Sequence, residues 1–350
     1  MIDAGNAVPI TLPRQVLRVG TSFLKSRTTA LLLFNVAFIV AVAAYNPDFV
    51  APDNLRVIAE NMALEAIVMV GAVFLLAAGR FDLSVDGSAT VSGVVAGLVL
   101  TNTGLPWAIG LLAGLGVGLA IGIANGILIE VGGLDPLMTT LGMWWLSVGI
   151  ALGATQGYSP YGFPEGFSRL GQARVGGMLV FVWYAVAIVA VGAVVLAFTR
   201  FGWQTYATGG DREASRLNGV KVVRIGIVLY AASGLLAGIA GTIFAARLGT
   251  ATSQAFDGLA LNVIAAAVIG GAALGGGRGS VVGGLLGLLL LNMLGNAAIF
   301  VGLSPYWQKA ISDVVLLVAV AADIVGRRRS TRRATQRLRV TDPSEEGESV

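Results

Sequence analysis

The chain has no cysteine and no histidine among its 350 residues. Without cysteine it can form neither disulfides nor thiolate metal sites, and without histidine it lacks imidazole ligands and the commonest acid–base catalyst. The phosphate-binding pattern GxxxxGK[ST] is also absent, so nucleotide hydrolysis at such a loop would have to come from another chain. These absences predict a protein that is not an enzyme and that holds no metal and no cofactor.

Charge is also scarce, with 12% charged against 56% hydrophobic residues, whereas soluble domains carry about 25% charged residues. Apolar runs of about 17–25 residues, the length that crosses a bilayer as a helix, recur along nearly the whole sequence. We predict an all-α polytopic membrane protein with ten spans, of which the third and eighth are short: 29–45, 56–78, 88–101, 107–129, 136–156, 178–198, 223–246, 258–273, 280–300 and 306–325.

The basic residues predict an orientation. With the N-terminus in the cytoplasm, 18 of the 23 Lys and Arg lie on the cytoplasmic side and four lie outside, as the positive-inside rule requires. We therefore predict a cytoplasmic N-terminal tail over 1–28, a transmembrane domain over 29–325, and a cytoplasmic, disordered C-terminal tail over 326–350. The run "GRRRSTRRATQRLR" in that tail favours contact with anionic lipid over nucleic acid.

A charged segment interrupts the apolar pattern after the second span. The stretch "LLAAGRFDLSVDGSATVSG" places Arg80, Asp82 and Asp86 among glycines. The apolar run that follows has only about 14 residues, too short to cross alone, so part of the stretch should lie within the membrane and line a polar path. The alternative is a tight cytoplasmic loop in which Asp82 caps the next helix.

A second glycine-rich stretch, "GGAALGGGRGSVVGG", follows the short eighth span, and its Arg278 resembles Arg80 in position. The sequence "ALEAI" at 63–67 is echoed by "ALNVI" at 260–264. Taking the separation as an odd number of spans, we expect the two halves to run in opposite directions, as in an inverted repeat. Chance similarity between glycine-rich helices explains the match equally well.

The longest cytoplasmic loop, 199–222, is predicted to contain a short helix. Gly209 and Gly210 should open a turn, Asp211 should cap the helix, and Gly219 suits a left-handed position after it. Two turns of helix are marginal alone, so docking on a partner competes with a solvated connector. The residues predicted to shape and dock this helix are Gly209, Gly210, Asp211, Glu213, Ala214, Arg216, Leu217 and Gly219.

Four motifs, in order and at consistent spacing, resemble one family: the membrane permeases of bacterial ABC importers for ribose, xylose, galactose and similar carbohydrates. The family patterns "GGIDLSVGS", "PFIATLGM", "AIGGNEEAARLSGI" and "AAVVLGGTSLAGGKG" are matched by "GRFDLSVDGS", "DPLMTTLGM", "ATGGDREASRLNGV" and "AAAVIGGAALGGGRG". The resemblance covers roughly residues 50–325. It departs where Arg80 replaces a common glycine, where Asp86 stands at or beside another, and where Ala260 replaces a frequent glutamate.

The resemblance implies an inner-membrane permease for a monosaccharide or related polyol, with a partner at each surface. A cytoplasmic ATPase would dock on the short helix of the 199–222 loop, which makes it the coupling helix. A periplasmic binding protein would deliver the solute, and a second permease copy or paralogue would complete the membrane pathway. Selectivity then rests largely with the binding protein, so the ligand cannot be carried over.

Polar residues within the spans are candidates for the translocation pathway. Trp144 could face a sugar or lipid, and Asn292 and Asn296 share a helix face where substrate contact competes with helix–helix hydrogen bonding. Asn262 lies in the short eighth span. The candidates are Asp82, Ser84, Thr140, Trp144, Asn262, Asn292 and Asn296.

Two other functions remain open on the residues. An ion-coupled secondary transporter would use Asp82 and Glu65 as ion ligands and would need no ATPase. An ABC permease for a non-sugar ligand, such as a branched-chain amino acid, would share the architecture and differ in its binding protein.

Overall fold

The computed structural model describes residues 27–302 and Val314, and in this part of the chain the fold is helical apart from one small hairpin. The helices are α1 Arg27–Tyr45, α2 Pro52–Ala77, α3 Val85–Asn102, α4 Trp107–Glu130, α5 Pro136–Thr155, α6 Glu165–Gln172, α7 Val180–Phe198, α8 Arg200–Gly210, α9 Arg212–Leu217, α10 Val222–Leu248, α11 Leu259–Ile269 and α12 Val281–Phe300. The hairpin pairs β1 Arg174–Val175 with β2 Met178–Leu179, and a 3₁₀ turn spans Pro47–Val50.

Each of the first nine predicted spans overlaps a helix. Among the described residues, seven helices are long and apolar enough to cross a membrane, namely α1, α2, α4, α5, α7, α10 and α12, so the chain is a multi-pass membrane protein. Of the two spans predicted to be short, α11 has only 11 residues. The third was predicted too short: α3 has 18 residues, because the helix begins at Val85, and it differs from the seven by burying Asp86, Ser88, Thr90 and Ser92. The tenth span, 306–325, and most of both predicted tails lie outside the described residues.

Helices α4 and α10 pack against each other through glycines. Gly118 and Gly122 of α4 face Gly234 and Gly238 of α10, and a Cβ at Gly118 would lie 2.8 Å from the Cα of Gly238. The missing side chains let the two backbones approach closely, as small residues commonly do between membrane helices. The repeated glycine spacing therefore fixes the position of α10 beside α4.

Helix α2 forms the centre of the bundle. Between Ala63 and Ala77 every side chain except that of Glu65 is buried, because α10, α7, α12 and α11 all pack around it. Helix α2 ends at the same end of the bundle as α4, and α10 begins there. We name this the Glu130 end, after the last residue of α4. The opposite end carries the hairpin, where the guanidinium of Arg174 lies 3.8 Å from Glu60.

The predicted inverted repeat was wrong for the segments that suggested it. Helix α12 runs antiparallel to α2, since Asn292 bonds Glu65, Asn296 bonds Asn54, and Gly279 lies beside Ala77. Helix α11 descends to the Glu130 end in the same direction as α2. Five spans, the third to the seventh, lie between the second and the eighth. An odd number of intervening spans returns the chain to the same direction, so the two sequence echoes have the same orientation.

The loop 199–222 contains more helix than predicted. Gly209 and Gly210 do not open a turn; they are the last residues of α8. Glycine is a poor helix former, but here the backbone of Gly209 packs against Ala77 and Gly277, and this contact outweighs the intrinsic preference. The chain turns one residue later, at Asp211, whose backbone is extended.

Candidate functional site: two breaks and a short helix

The first break, residues 78–84, is held by buried hydrogen bonds. Asp82 Oδ1 accepts from the backbone amide of Ser84 at 2.8 Å and from its hydroxyl at 2.6 Å. Asp82 Oδ2 accepts from the Ser233 hydroxyl at 3.1 Å, and the Asn125 amide donates to Ser84 Oγ at 2.7 Å. The carboxylate of Asp82 thus fixes the break between α4 and α10.

The break runs along α10 into the interior of the bundle. Near the start of α10, Gly226 packs on Glu130, the partner of Arg80. One turn further, the Tyr230 hydroxyl donates to the carbonyl of Phe81 at 3.2 Å. The next turn brings Ser233 to Asp82. Ser233 is 11 residues into α10, roughly 16 Å along the helix at 1.5 Å per residue. Since α10 is long enough to cross a membrane, Asp82 lies beside the middle of a crossing helix.

Arg80 and Arg212 share one buried carboxylate. Glu130, the last residue of α4, has a fully buried side chain. Arg80 donates to it through Nε and through Nη2, the latter at 3.1 Å, while Arg212 Nη2 reaches Glu130 Oε2 at 2.9 Å. The three side chains join the first break, the end of α4 and helix α9.

The second break, residues 270–280, meets the first at glycine backbones. The amide of Gly277 donates to the carbonyl of Ala77 at 2.9 Å. Gly276, at φ +83°, lies against Gly79 and Gly209, and a Cβ there would come within 2.8 Å of both. We name this contact of Gly79, Gly209, Gly276 and Gly277 the glycine junction.

Tyr206 closes the side of the glycine junction. Its hydroxyl donates to the carbonyl of Gly279 at 2.7 Å, and burial raises the pKa of Tyr206 above its ordinary value. The hydroxyl therefore stays protonated and available as a donor. This bond attaches α8 to the second break one turn before α8 reaches Gly209.

Helix α9 has the predicted cap and ending. Asp211 Oδ1 accepts from the amide of Ala214 at 2.9 Å, and Gly219 is left-handed at φ +80°. Ala214 is exposed and Leu217 is 76% exposed, so the small apolar face has no cover within the described residues. The Arg216 guanidinium hydrogen-bonds Glu213 and lowers the pKa of that carboxyl, which keeps the pair ionised at the rim.

Asp86 joins the N-termini of α3 and α11. Its carboxylate, in the first turn of α3, accepts from the amides of Gly258 at 2.9 Å and Ala260 at 2.5 Å, at the start of α11. Both helix ends carry partial positive charge, so both stabilise the carboxylate. Helices α3 and α11 thus begin at one buried acidic side chain.

The other predicted pathway residues fall at separate places. Thr140 is buried and donates to the carbonyl of Pro136, and Trp144 is half-buried and stacks on Trp145. Asn262, half-buried on α11, has no side-chain hydrogen bond within the described residues. Asn292 and Asn296 bond α2 through Glu65 and Asn54 respectively. In residues 27–302 and 314, no three His, Cys, Asp or Glu side chains cluster as metal ligands do.

Several residues at the site were not predicted from the sequence. Glu130 was overlooked because nothing local connects the end of one span with Arg80, 50 positions earlier. Tyr230 and Ser233 had a usable signal: with Gly226 they recur at helical spacing on one face of an otherwise apolar span. That face is the one along which the first break runs.

Comparison with known proteins gives a consistent family. The family model described as "Branched-chain amino acid transport system / permease component" matches residues 57–320. The ribose import permease protein of Bacillus subtilis is 35% identical over 288 residues, covering 81% of this chain and 89% of that protein. The L-arabinose transport system permease protein of Escherichia coli is 36% identical over 293 residues, covering 84% and 89% respectively.

A third relative, the Escherichia coli protein named "Probable ABC transporter permease protein YphD", is 34% identical over 303 residues, covering 86% of this chain and 91% of its own length. All three relatives are named as permeases, which are transport components and not enzymes. The matched residues 57–320 contain both breaks and α9. The chain therefore belongs to the permease family that this model describes, as a membrane component of an ABC transport system.

Proposed function

We propose that the chain is the membrane-spanning permease of a bacterial ABC importer that takes up a monosaccharide or related polyol. It forms no bonds and breaks none; it opens a path alternately to either side when a partner ATPase binds and hydrolyses ATP. The observation that carries the proposal is the short capped helix α9, whose apolar face has no cover within the described residues and which begins three residues after Gly209 of the glycine junction. Relatives named for ribose and L-arabinose support a sugar as the solute.

The proposed coupling site is α9 with its flanking residues. Ala214 and Leu217 insert into a groove of the ATPase, where buried apolar anchors supply most of the binding energy. Glu213 and Arg216 lie at the charged rim and fix the register. Gly209, Gly210, Asp211 and Gly219 set the position and length of the helix, which the cap at Asp211 supports.

The proposed pathway lies beside α3 and α11, the two helices that begin at Asp86. Asn262 on α11 offers an amide that has no hydrogen-bond partner among the described residues, and Trp144 offers an aromatic face. Asp82 and Ser84 shape the break beside α10, and Thr140, Asn292 and Asn296 complete the set. A second permease copy or paralogue forms the other half of the path, and a periplasmic binding protein delivers the solute.

We propose that both termini are cytoplasmic, with the Glu130 end of the bundle facing the cytoplasm of an inner-membrane protein. The sequence has no cysteine, so single cysteines can be placed freely. Tyr161→Cys, at a residue 77% exposed on the opposite end, should react with an impermeant maleimide in intact spheroplasts. Lys221→Cys, exposed at the start of α10, should react only after permeabilisation. The reverse pattern would overturn the orientation.

A branched-chain amino acid is the second candidate, because the family model carries that description. Such a ligand brings a carboxylate, which transporters commonly hold at the N-termini of half-helices. In this chain the N-terminal amides of α11 already bind the carboxylate of Asp86, which lies in the first turn of α3. This arrangement favours an uncharged solute over an amino acid.

Reconstitution tests the proposed function. Proteoliposomes containing the chain, its ATPase and its cognate binding protein should accumulate a labelled monosaccharide when ATP is present, and omission of either partner should abolish uptake. An uncoupler should have no direct effect. Uptake by the chain alone that collapses with the uncoupler would establish an ion-coupled transporter. Uptake of leucine, without uptake of any sugar, would establish the amino-acid importer.

A further inference from the structure

The charged cluster of Arg80, Glu130 and Arg212 lies outside the proposed pathway residues and outside the apolar docking face of α9. Its members come from three elements: the first break, the end of α4 and the first turn of α9. Their exposures differ sharply. The side chains of Glu130 and Arg80 are 0% and 5% exposed, whereas that of Arg212 is 58% exposed. The cluster therefore connects a surface helix with buried backbone.

Neutralising Glu130 does not require Arg212. Arg80 already binds both carboxylate oxygens, a two-pronged geometry that is the strong form of this ion pair. It also donates to the carbonyl of Ala78 at 3.0 Å, which fixes the guanidinium within its own break. Arg212 is thus a second cation on one carboxylate, and its contribution is the attachment of α9.

The packing around Glu130 leaves the carboxylate little freedom. The Cα of Gly226 on α10 lies against it, and any side chain at that position would overlap the carboxyl group. A displacement of α9 that pulls on Arg212 must therefore move the Glu130–Arg80 pair with it. Arg80 is two residues from Asp82, so the same displacement reaches the hydrogen bonds that hold the first break to α10.

We propose that Glu130 is the link through which α9 moves the first break, with Arg212 and Arg80 as the two positioning residues on either side of it. The proposal rests on the proposed function, since it assigns the route by which docking of an ATPase reaches the pathway. In this proposal the apolar face of α9 binds the ATPase. The charged cluster transmits the motion of α9 to the first break.

The primary test measures solute transported per ATP hydrolysed in the reconstituted importer. Arg212→Gln should retain the ATPase and continue to hydrolyse ATP, but transport per ATP should fall about tenfold, within the range typical of coupling between sites. Arg212→Lys keeps the charge and should recover at least about half of the wild-type ratio. Arg278→Gln, at the exposed arginine of the second break, is the matched control and should behave as wild type.

Pairing the substitutions tests whether Arg212 acts through Glu130. In a Glu130→Gln background, the further change Arg212→Gln should have no additional effect on transport per ATP, because the link is already lost. Equal transport per ATP in wild type and Arg212→Gln would overturn the proposal. It would also be overturned if release of the ATPase explained the whole loss of transport in Arg212→Gln. A further full loss of transport per ATP on adding Arg212→Gln to Glu130→Gln would overturn it as well.

A second readout does not depend on transport. Hydrogen exchange of the isolated permease should show faster exchange over residues 78–84 in Arg212→Gln than in wild type, with no change in Arg278→Gln. If the importer transports no sugar but this difference appears, the proposed function fails and the link stands. If transport is normal but exchange over 78–84 is unchanged in Arg212→Gln, the link fails and the proposed function stands.

Discussion

The two breaks each join two helices through non-helical backbone, but different chemical groups hold them in place. The first, 78–84, is held by charged and polar side chains: Arg80 on Glu130, and Asp82 on Ser84 and Ser233. The second, 270–280, is held by backbone hydrogen bonds among its own residues, such as the amide of Ala273 to the carbonyl of Arg278 at 3.0 Å. Arg80 is buried, whereas its sequence counterpart Arg278 is exposed.

The difference shows that a shared glycine-rich pattern does not imply a shared role. The first break is bonded to α4 and α10 through side chains and, through Glu130, to Arg212 of α9, so a motion of any of these helices reaches it. The second break supplies a close-packed backbone surface at the glycine junction, where a Cβ at Gly209 or Gly276 would come within 3 Å of backbone atoms. We infer that the first break is the part that responds and the second is the support against which it moves.

The largest effect should come from removing the carboxylate that compensates Arg80. Glu130→Ala leaves a buried guanidinium without its partner, and breaking a buried pair in this way commonly costs about 3–5 kcal/mol. Arg278→Ala, in the second break, should change stability by less than about 0.5 kcal/mol. Thermal unfolding of the purified variants in detergent measures both. Equal melting temperatures for the two variants would remove the contrast between the breaks.

The next effect concerns the glycine junction. Gly276→Ala places a Cβ at positive φ and 2.8 Å from Gly79 and Gly209, and we expect a loss of at least about 2 kcal/mol from strain and overpacking. Gly275→Ala adds the same methyl group with no atom within 4 Å and should be tolerated. A Gly276→Ala variant as stable as Gly275→Ala would show that the junction is not closely packed in the membrane.

A smaller effect on stability, with a larger one on transport, is expected at Asp82. Asp82→Ala leaves the hydroxyls of Ser84 and Ser233 without their acceptor, which costs about 1–3 kcal/mol, and transport should fall although the permease is inserted at normal abundance. Ser280→Ala removes the cap of α12 after the second break, at a cost of about 1 kcal/mol, without impairing transport. If the Asp82→Ala variant transports at the parental rate, Asp82 has no role in the pathway.

Local signals in the sequence predicted much of this structure. Apolar run lengths located nine helices, and residue types at 211 and 219 located the cap and the ending of α9. The apolar run after Asp82 was predicted too short to cross alone, whereas α3 has 18 residues; the break nevertheless lies beside the interior of the bundle, as predicted, because Asp82 bonds Ser233 of α10. These features depend on residues close together in the chain, and local patterns record them.

Contacts between distant segments could not be predicted in the same way. The pairing of Arg80 with Glu130 depends on the direction in which α4 runs and on where it ends in the bundle. The continuation of α8 through Gly209 depends on contact of that glycine with Ala77. The predicted opposite orientation of the two sequence echoes was wrong, because an odd number of intervening spans gives the same direction and not the opposite one. The polar face of Gly226, Tyr230 and Ser233 was visible in the sequence, but its partner was not.

Co-purification of the ATPase with an Ala214→Glu permease, together with hydrolysis stimulated by the loaded binding protein, tests most directly whether α9 couples the two proteins. An unpaired charge buried in the groove of the ATPase commonly costs about 2–5 kcal/mol. Ala214 is exposed in the free chain, so folding and membrane insertion should survive. We predict that both ATPase retention and stimulated hydrolysis are lost. Full retention with full stimulation would show that α9 is only a connector and would contradict the proposed coupling.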